Sequence, residues 1–390
     1  MKNRNIIILF IVSVITLIAI GGLLVYAFEL QNRKDPTVIS DNSGHDKPTK
    51  APTEANEKPT DEGKVTSKPT PSPTPTISPV VLGFAGDVNL DENSDPVAKY
   101  DSSGEDISAC FSNDLLKEMQ SADVMMLNNE FSYSTRGTKS ANKSYTFRAD
   151  PKRVDILKQM GVDIVSLANN HALDYGPDAL QDTFDTLDKA KIDYVGAGEN
   201  INRAKAPIYR SVGGRKIAFL AASRVIFTGS WYATDNKLGM VGTYDPAMII
   251  ASIKEANANS DFVVIFVHWG VERNNYPEAY QRQMARQYID AGADVVIGCH
   301  SHVMQGVEYY KGKPIAYSLG NYWFNSSTKQ SGMVKLYLDP NNTIKFQLLP
   351  VMNKNTKTYL LTDPGEKKTY YNFMRSLSSN VTIDEDGYVH

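Results

Sequence analysis

Residues 261–302 read DFVVIFVHWGVERNNYPEAYQRQMARQYIDAGADVVIGCHSH. Two short apolar runs, 262–267 and 295–297, have the length and the Val/Ile/Phe content of buried strands, and residues 278–291 between them have helical spacing. Each run closes on histidine: His268 after the first, His300 and His302 after the second. The chain holds six histidines. A third, His171, ends the run GVDIVSLANNH at 161–171, and only His45 and His390 lie elsewhere.

The same texture continues on both sides. VVLGFAGD (80–87), DVMMLNNE (123–130), IDYVGAG (192–198) and KIAFLAAS (216–223) are further strand candidates. Segments 112–121, 151–160, 177–190 and 246–259 have helical spacing. Regular strand–helix alternation predicts an α/β architecture. GKPIAYSLG, GMVKLYLD and TIKFQLLPV then follow without helices between them, so a mixed sheet is expected. Asp339-Pro340-Asn341-Asn342 supplies the turn of a hairpin. Asp363-Pro364 with Glu366 reads as a helix start. The expected organisation is one domain over 80–350 and a C-terminal extension, 351–390, packing on it.

Ahead of the domain, residues 6–28 form an uncharged apolar run, long enough to span a bilayer. Residues 1–5 carry Lys2 and Arg4, which place the N-terminus in the cytoplasm and the rest outside the cell membrane, as a single-pass protein. A cleaved signal peptide is the rival reading, with Val25-Tyr26-Ala27 as a loose cleavage site, but its apolar core would be long. Residues 29–79 read as a tether: from 36 onward they hold nine of the nineteen prolines and no aromatic residue. A formal charge of −3 offers no basic stripe for nucleic acid. Two cysteines, Cys110 and Cys299, allow one disulfide and exclude a disulfide framework.

Every polar cluster of interest follows a strand candidate: Asp87 to Asn89, Asn128-Asn129-Glu130, Asn169-Asn170-His171, His268, and His300 with His302. In open α/β sheets, sites form outside the carboxyl ends of the strands. Asp, Glu, Asn and His together are the donor set for Zn, Mn or Fe. Any one cluster alone has a structural explanation, such as helix capping for Asp87 or a turn for Asn169-Asn170. Their common position points to a metal site. If the chain stays extended through 300–302, both imidazoles face one point. Cys299 then packs behind them as a small buried hydrophobe, with a thiolate ligand the lesser alternative.

GFAGDVNLD, LNNE, LANNHALDYG, VGAGEN, HWGVE and GCHSHVMQGVEYYKGKPIAYSLGNYWF, in this order over 80–340, resemble the CapA family of bacterial capsule and poly-γ-glutamate synthesis. That family is similar to the calcineurin-like metallophosphoesterases. The resemblance implies two packed mixed β-sheets flanked by helices in a four-layer sandwich, binding one or two divalent ions. It implies Asp87, Glu130, Asn170, His268, His300 and His302 as metal ligands and His171 as proton donor. Asn89 departs from the superfamily pattern, which has histidine there, and this weakens the first metal position.

Asp174 is a candidate to orient His171. Arg148, with its planar fork, is a candidate for an anionic substrate, and Asn89, Glu272 and Asn321 for further substrate contacts. Function divides two ways. One is a metal-dependent hydrolase of a phosphoester or a polymer linkage, using a metal-activated water. The other is a non-catalytic accessory subunit assisting assembly or export of an anionic capsule polymer, or of its precursor, beside a membrane-bound synthase.

Overall fold

The computed structural model describes residues 77–390 apart from Asn342. The apolar run 6–28 and the tether up to residue 76 lie outside the described residues. Among the described residues, no helix is long and apolar enough to cross a membrane.

Strand side chains alternate between two faces, and here both faces are apolar. In β11 (Phe262–His268), Phe262, Val264 and Phe266 enter one core, while Val263, Ile265 and Val267 enter another. A strand buried on both faces must lie inside a layered stack. Its neighbours are β12 (Val295–Cys299) and β9 (Arg215–Ser223), both parallel to it. Beyond β12 lie β14 (Lys313–Ala316), also parallel, and β13 (Val307–Tyr310), antiparallel. Antiparallel β8 (Ile208–Val212) closes the other edge.

The other main sheet has the order β18-β17-β16-β1-β2-β5-β6. Its parallel half is β1 (Val80–Val88), β2 (Val124–Asn129), β5 (Ile164–Ser166) and β6 (Asp193–Val195). Its antiparallel half is β16 (Lys329–Leu338), β17 (Ile344–Lys354) and β18 (Lys357–Leu360). Short β15 (Asn321–Trp323) runs along the end of β1, and β19 (Tyr388–Val389) pairs with β17. Two-residue ribbons β3–β4 (Ser132–Tyr133 with Arg148–Ala149) and β7–β10 (Ala197–Gly198 with Gly239–Met240) complete the strands.

The cores give the layer order. Leu82 and Phe84 of β1 meet Phe219, Phe266 and Ile297 of the facing sheet. Ala85, Met125 and Leu127 turn outward onto Leu115, Leu157, Leu180 and Phe184 of helices Asn113–Gln120, Val154–Met160 and Pro177–Ala190. The outer face of the β11 sheet takes Ile249, Ile253, Ala285 and Tyr288 from helices Ala247–Asn259 and Ala279–Asp290. Two mixed sheets flanked by helices are what the family resemblance implied; the alternation by itself anticipated an α/β fold with a mixed sheet.

Three local readings need correction. Helix Asp95–Ser102, capped by the Ser94 side chain, was not anticipated. The strand expected over 161–171 is only Ile164–Ser166, because the NNH segment leaves the sheet. Residues 351–390 do more than pack on the domain: β18 and β19 are strands of its sheet, and Tyr370, Tyr371 and Met374 of helix Pro364–Leu377 enter the inter-sheet core. The Asp363 cap forms as read, accepting from Gly365 and Glu366. Cys110 and Cys299 are both free and buried, in different cores, so no disulfide joins them.

Candidate metal centre

The parallel strands of both sheets end at one rim, and their C-terminal ends carry the polar clusters. β1 delivers Asp87 through a bulge. Phe84 pairs with Met126 and Asp87 with Asn128, so β1 spends three residues where β2 spends two. The extra residue reverses the alternation. Asp87 therefore faces the second sheet, where its Oδ2 accepts from the His300 amide at 3.2 Å and lies 3.3 Å from His302 Nδ1. His268 shares the parity of Phe262, Val264 and Phe266, so its ring emerges at the inter-sheet rim.

β12 ends at Cys299, and His300 and His302 have φ of +99° and +56°. The extended geometry expected for 300–302 is thus overturned, and a left-handed path brings the rings together instead. The His300 ring lies 4.5 Å from the His268 ring and 5.9 Å from the His302 ring, between centroids. Cys299 does not pack behind them. Its Sγ lies 3.2 Å from His268 Nδ1, at the flank of the cluster.

Glu130 occupies the centre. Its Oε1 has no hydrogen-bond partner, although His268 Nε2, His171 Nε2 and His302 Nε2 stand 3.8, 3.9 and 4.0 Å away. These separations are too long for hydrogen bonds. His300 Nδ1 is also buried without a partner. Leaving a carboxylate oxygen and a ring nitrogen buried and unsatisfied is costly. A divalent cation among carboxylate and imidazole donors satisfies both, so the residues present fit such an ion. The ligating atoms of Glu130, His300 and His302 all lie within 4.8 Å of one another.

Asp87, His268 and Cys299 form a second group with the same spread. There, however, the Asn128 amide already bridges Asp87 Oδ1 at 2.8 Å, Glu130 Oε2 at 3.1 Å and His268 Nδ1 at 3.4 Å. Asn169 fixes that amide by donating to Asn128 Oδ1 at 3.1 Å. A donor group holds this space, and Cys299 flanks it. Asn170 Oδ1 reaches His268 Nε2 at 2.7 Å, on the Glu130 side.

The cluster polarises its own titration. Burial, then the Asp87 charge, push Glu130 well above the ordinary carboxylate value. Burial also acts to raise Asp87, but hydrogen bonds from His302 and Asn128 outweigh it and hold Asp87 low. Burial and neighbouring imidazoles drive His268 well below the ordinary value and His300 to about 3. Neutral imidazole is the form that can bind a metal.

His171 stands beside this centre as a separate unit. Its Nδ1 meets Asp174 Oδ2 at 2.6 Å, which orients the ring as expected of Asp174. Lys143 ion-pairs with the other Asp174 oxygen, donates to the Asn170 carbonyl and lies 3.1 Å from His171 Nδ1. Burial lowers both His171 and Lys143, more than Asp174 raises them.

A model described as "Bacterial capsule synthesis protein PGA_cap" matches residues 81–326. The chain belongs to this family. "PGA biosynthesis protein CapA" of Bacillus subtilis is 36% identical over 254 residues, 64% of this chain and 66% of that protein. "Capsule biosynthesis protein CapA" of Bacillus anthracis is 34% identical over 238 residues, covering 59% and 57%. A "Probable polyglutamine synthesis accessory protein" of Mycobacterium tuberculosis is 30% identical over 254 residues, covering 60% and 67%. The match thus spans somewhat less than two thirds of the two Bacillus proteins.

In this PGA_cap chain a cavity of about 360 Å³ opens against the centre and is lined by His171 and His302. Asn89, Glu272 and Asn321 line it too. Asn89 Oδ1 accepts from the Asp91 amide at 2.9 Å, so this side chain folds back on its own turn. Asn321 Oδ1 meets His302 Nδ1 at 2.7 Å and orients that ring. Arg148 is not among the lining residues. Its guanidinium lies 4.1 Å over the Tyr175 ring and donates to the Arg136 carbonyl, so it braces the loop and does not reach the cavity.

Lys143 escaped the reading of the sequence. Asn128 and Asn169 were read as members of the strand-end clusters, without a role of their own. Lys143 sits in an irregular loop without a motif, and only the fold brings it to Asp174.

Proposed function

We propose that this protein is a membrane-anchored, extracellular, metal-dependent hydrolase of capsule or poly-γ-glutamate synthesis, cleaving a phosphoester or a polymer linkage such as a γ-glutamyl amide. The observation carrying this reading is the partnerless Glu130 Oε1 amid three imidazole nitrogens, beside an open cavity. The apolar run 6–28 with Lys2 and Arg4 before it supports the anchor and its orientation.

Glu130, His268, His300 and His302 would hold the ion, with Asp87 and Asn170 alongside. A divalent ion there supplies an acidified water and a Lewis acid. His171 handles the proton. With Nδ1–H given to Asp174, the neutral ring turns an Nε2 lone pair toward the cavity. A proton taken up at Nε2 can be passed to a leaving oxygen or nitrogen, while Asp174 stabilises the imidazolium. Phe147, with its ring centroid 4.2 Å from that of His171, shields the ring from water.

The turned-back Asn89 favours a second reading, an accessory subunit that retains the fold and a metal while assisting polymer assembly beside a synthase. The name of the Mycobacterium relative, an accessory protein, agrees with it. Full-length protein purified without added ions separates the two. The hydrolase reading expects bound divalent metal and metal-stimulated cleavage of poly-γ-glutamate or p-nitrophenyl phosphate, lost in His171→Ala and His300→Ala. Normal polymer output from cells carrying those substitutions, with no cleavage in vitro, would leave the accessory role.

A further inference from the structure

The cavity beside the metal centre is lined by the carboxylates of Asp91, Asp95 and Glu272 and by the cations of Arg273 and Lys329. The charges of Asp91 and Asp95 are largely answered within the protein. Asp91 accepts from the backbone amides of Asn93 and Arg148 at 2.9 and 2.8 Å. Asp95 stands in the first turn of helix Asp95–Ser102, where the helix dipole favours a negative charge.

Among the described residues, neither Arg273 nor Lys329 enters an ion pair. Both residues are also fastened to the His-x-His loop. The Arg273 amide donates to the Ser301 carbonyl at 2.7 Å, and Lys329 Nζ reaches the His302 carbonyl at 3.5 Å. Arg273 takes a left-handed φ of +63°, an uncommon conformation for a side chain of this size and one that clusters at functional sites.

Two cations without an ion-pair partner, both tied to the His-x-His loop at the cavity, are arranged to receive an anion. We infer that Arg273 and Lys329 form a specificity-determining subsite that binds a free carboxylate next to the linkage presented at the metal centre. The word "linkage" rests on the hydrolase reading proposed above; the binding does not. This geometry selects between the two substrate classes that reading leaves open. A γ-linked glutamate chain places a free carboxylate beside every amide, whereas a simple phosphomonoester has none. The guanidinium fork supplies two parallel donors to a carboxylate, and the ammonium adds a point charge.

The test measures binding of a fluorescent γ-linked glutamate oligomer and of its α-methyl ester to the full-length, metal-containing protein. Wild type is expected to bind the free acid at least about tenfold more tightly than the ester. In Arg273→Gln/Lys329→Gln the free acid is expected to weaken by about tenfold or more and the preference to vanish. Arg273→Lys should keep part of it. Arg273 is exposed, so Arg273→Gln alone carries the test if the double variant is unstable. A wild-type protein without preference, or variants that retain the full preference, would overturn the subsite. Because the readout is binding, absence of cleavage with the preference intact would remove the hydrolase reading and leave the subsite standing.

Discussion

Glu130 Oε1 faces three ring nitrogens and bonds to none, which is a poor arrangement for stability and a good one for holding a cation. The cost depends on pH. Burial and Asp87 place the folded pKa above the ordinary value of 4.5, so the native state keeps a proton there that the unfolded chain gives up as pH rises. Glu130's contribution is complete below about pH 4.5 and is lost as the pH climbs through the folded value. Glu130→Gln removes the buried charge. In chelator-treated protein it is expected to raise unfolding free energy by about 1–3 kcal/mol at pH 7.5 and change little at pH 4, by urea titration. The same variant should bind no metal. His300 has the opposite sign. Its folded pKa of about 3 lies below the ordinary 6.5, so the unfolded chain takes up a proton first as pH falls. Its contribution is present above pH 6.5 and lost toward pH 3, and His300→Gln should flatten that limb. A metal-free protein whose acid limb is unchanged by this substitution would show that His300 is not buried as described. At this scale the sequence was most informative about residues at strand ends. It was silent on Lys143, whose role depends on a loop without a pattern, and it misplaced Arg148, whose charge suggested the cavity while a neighbouring tyrosine holds it elsewhere.

At the scale of elements, the strands were legible because burial on both faces leaves long apolar runs, and the helices because their apolar residues recur at 3.6-residue spacing. What was illegible arises where one backbone presses on another. The β1 bulge that re-aims Asp87 and the positive φ at His300 have no local signature. Gly298 marks such a place: a Cβ there would stand 2.1 Å from the Tyr317 carbonyl oxygen and 2.4 Å from Trp269 Nε1. Both groups are fixed, because that indole donates to that carbonyl at 2.9 Å. Gly298→Ala must therefore push β12 away from Tyr317, and His300 and His302 move with it. The variant is expected to lose about 2 kcal/mol or more in denaturant unfolding and most of its bound metal. Full metal content in a destabilised variant would mean that the His-x-His loop is positioned by something other than β12.

Across the whole molecule, the donor set is divided between the two sheets. Asp87, Glu130 and Asn170 come from the sheet containing β1, while His268, His300 and His302 come from the sheet containing β11. An ion bound among them ties the two halves of the sandwich at a rim where the apolar inter-sheet core gives way to unsatisfied polar groups. Such an ion binds the folded state and finds no assembled site in the unfolded one, so it stabilises by mass action. At free metal about 100 times the dissociation constant the gain is about 2.7 kcal/mol, which for a domain of this size corresponds to roughly 5 °C in Tm. Chelation of the purified full-length protein is therefore expected to lower Tm by about that amount, and restoring Zn, Mn or Fe should return it. His302→Gln should show a much smaller difference between the two states, since the remaining donors no longer surround Glu130 Oε1. If chelation strips the ion, as elemental analysis can show, yet Tm does not move, the ion is not held between the sheets and the centre assigned to Glu130 is wrong.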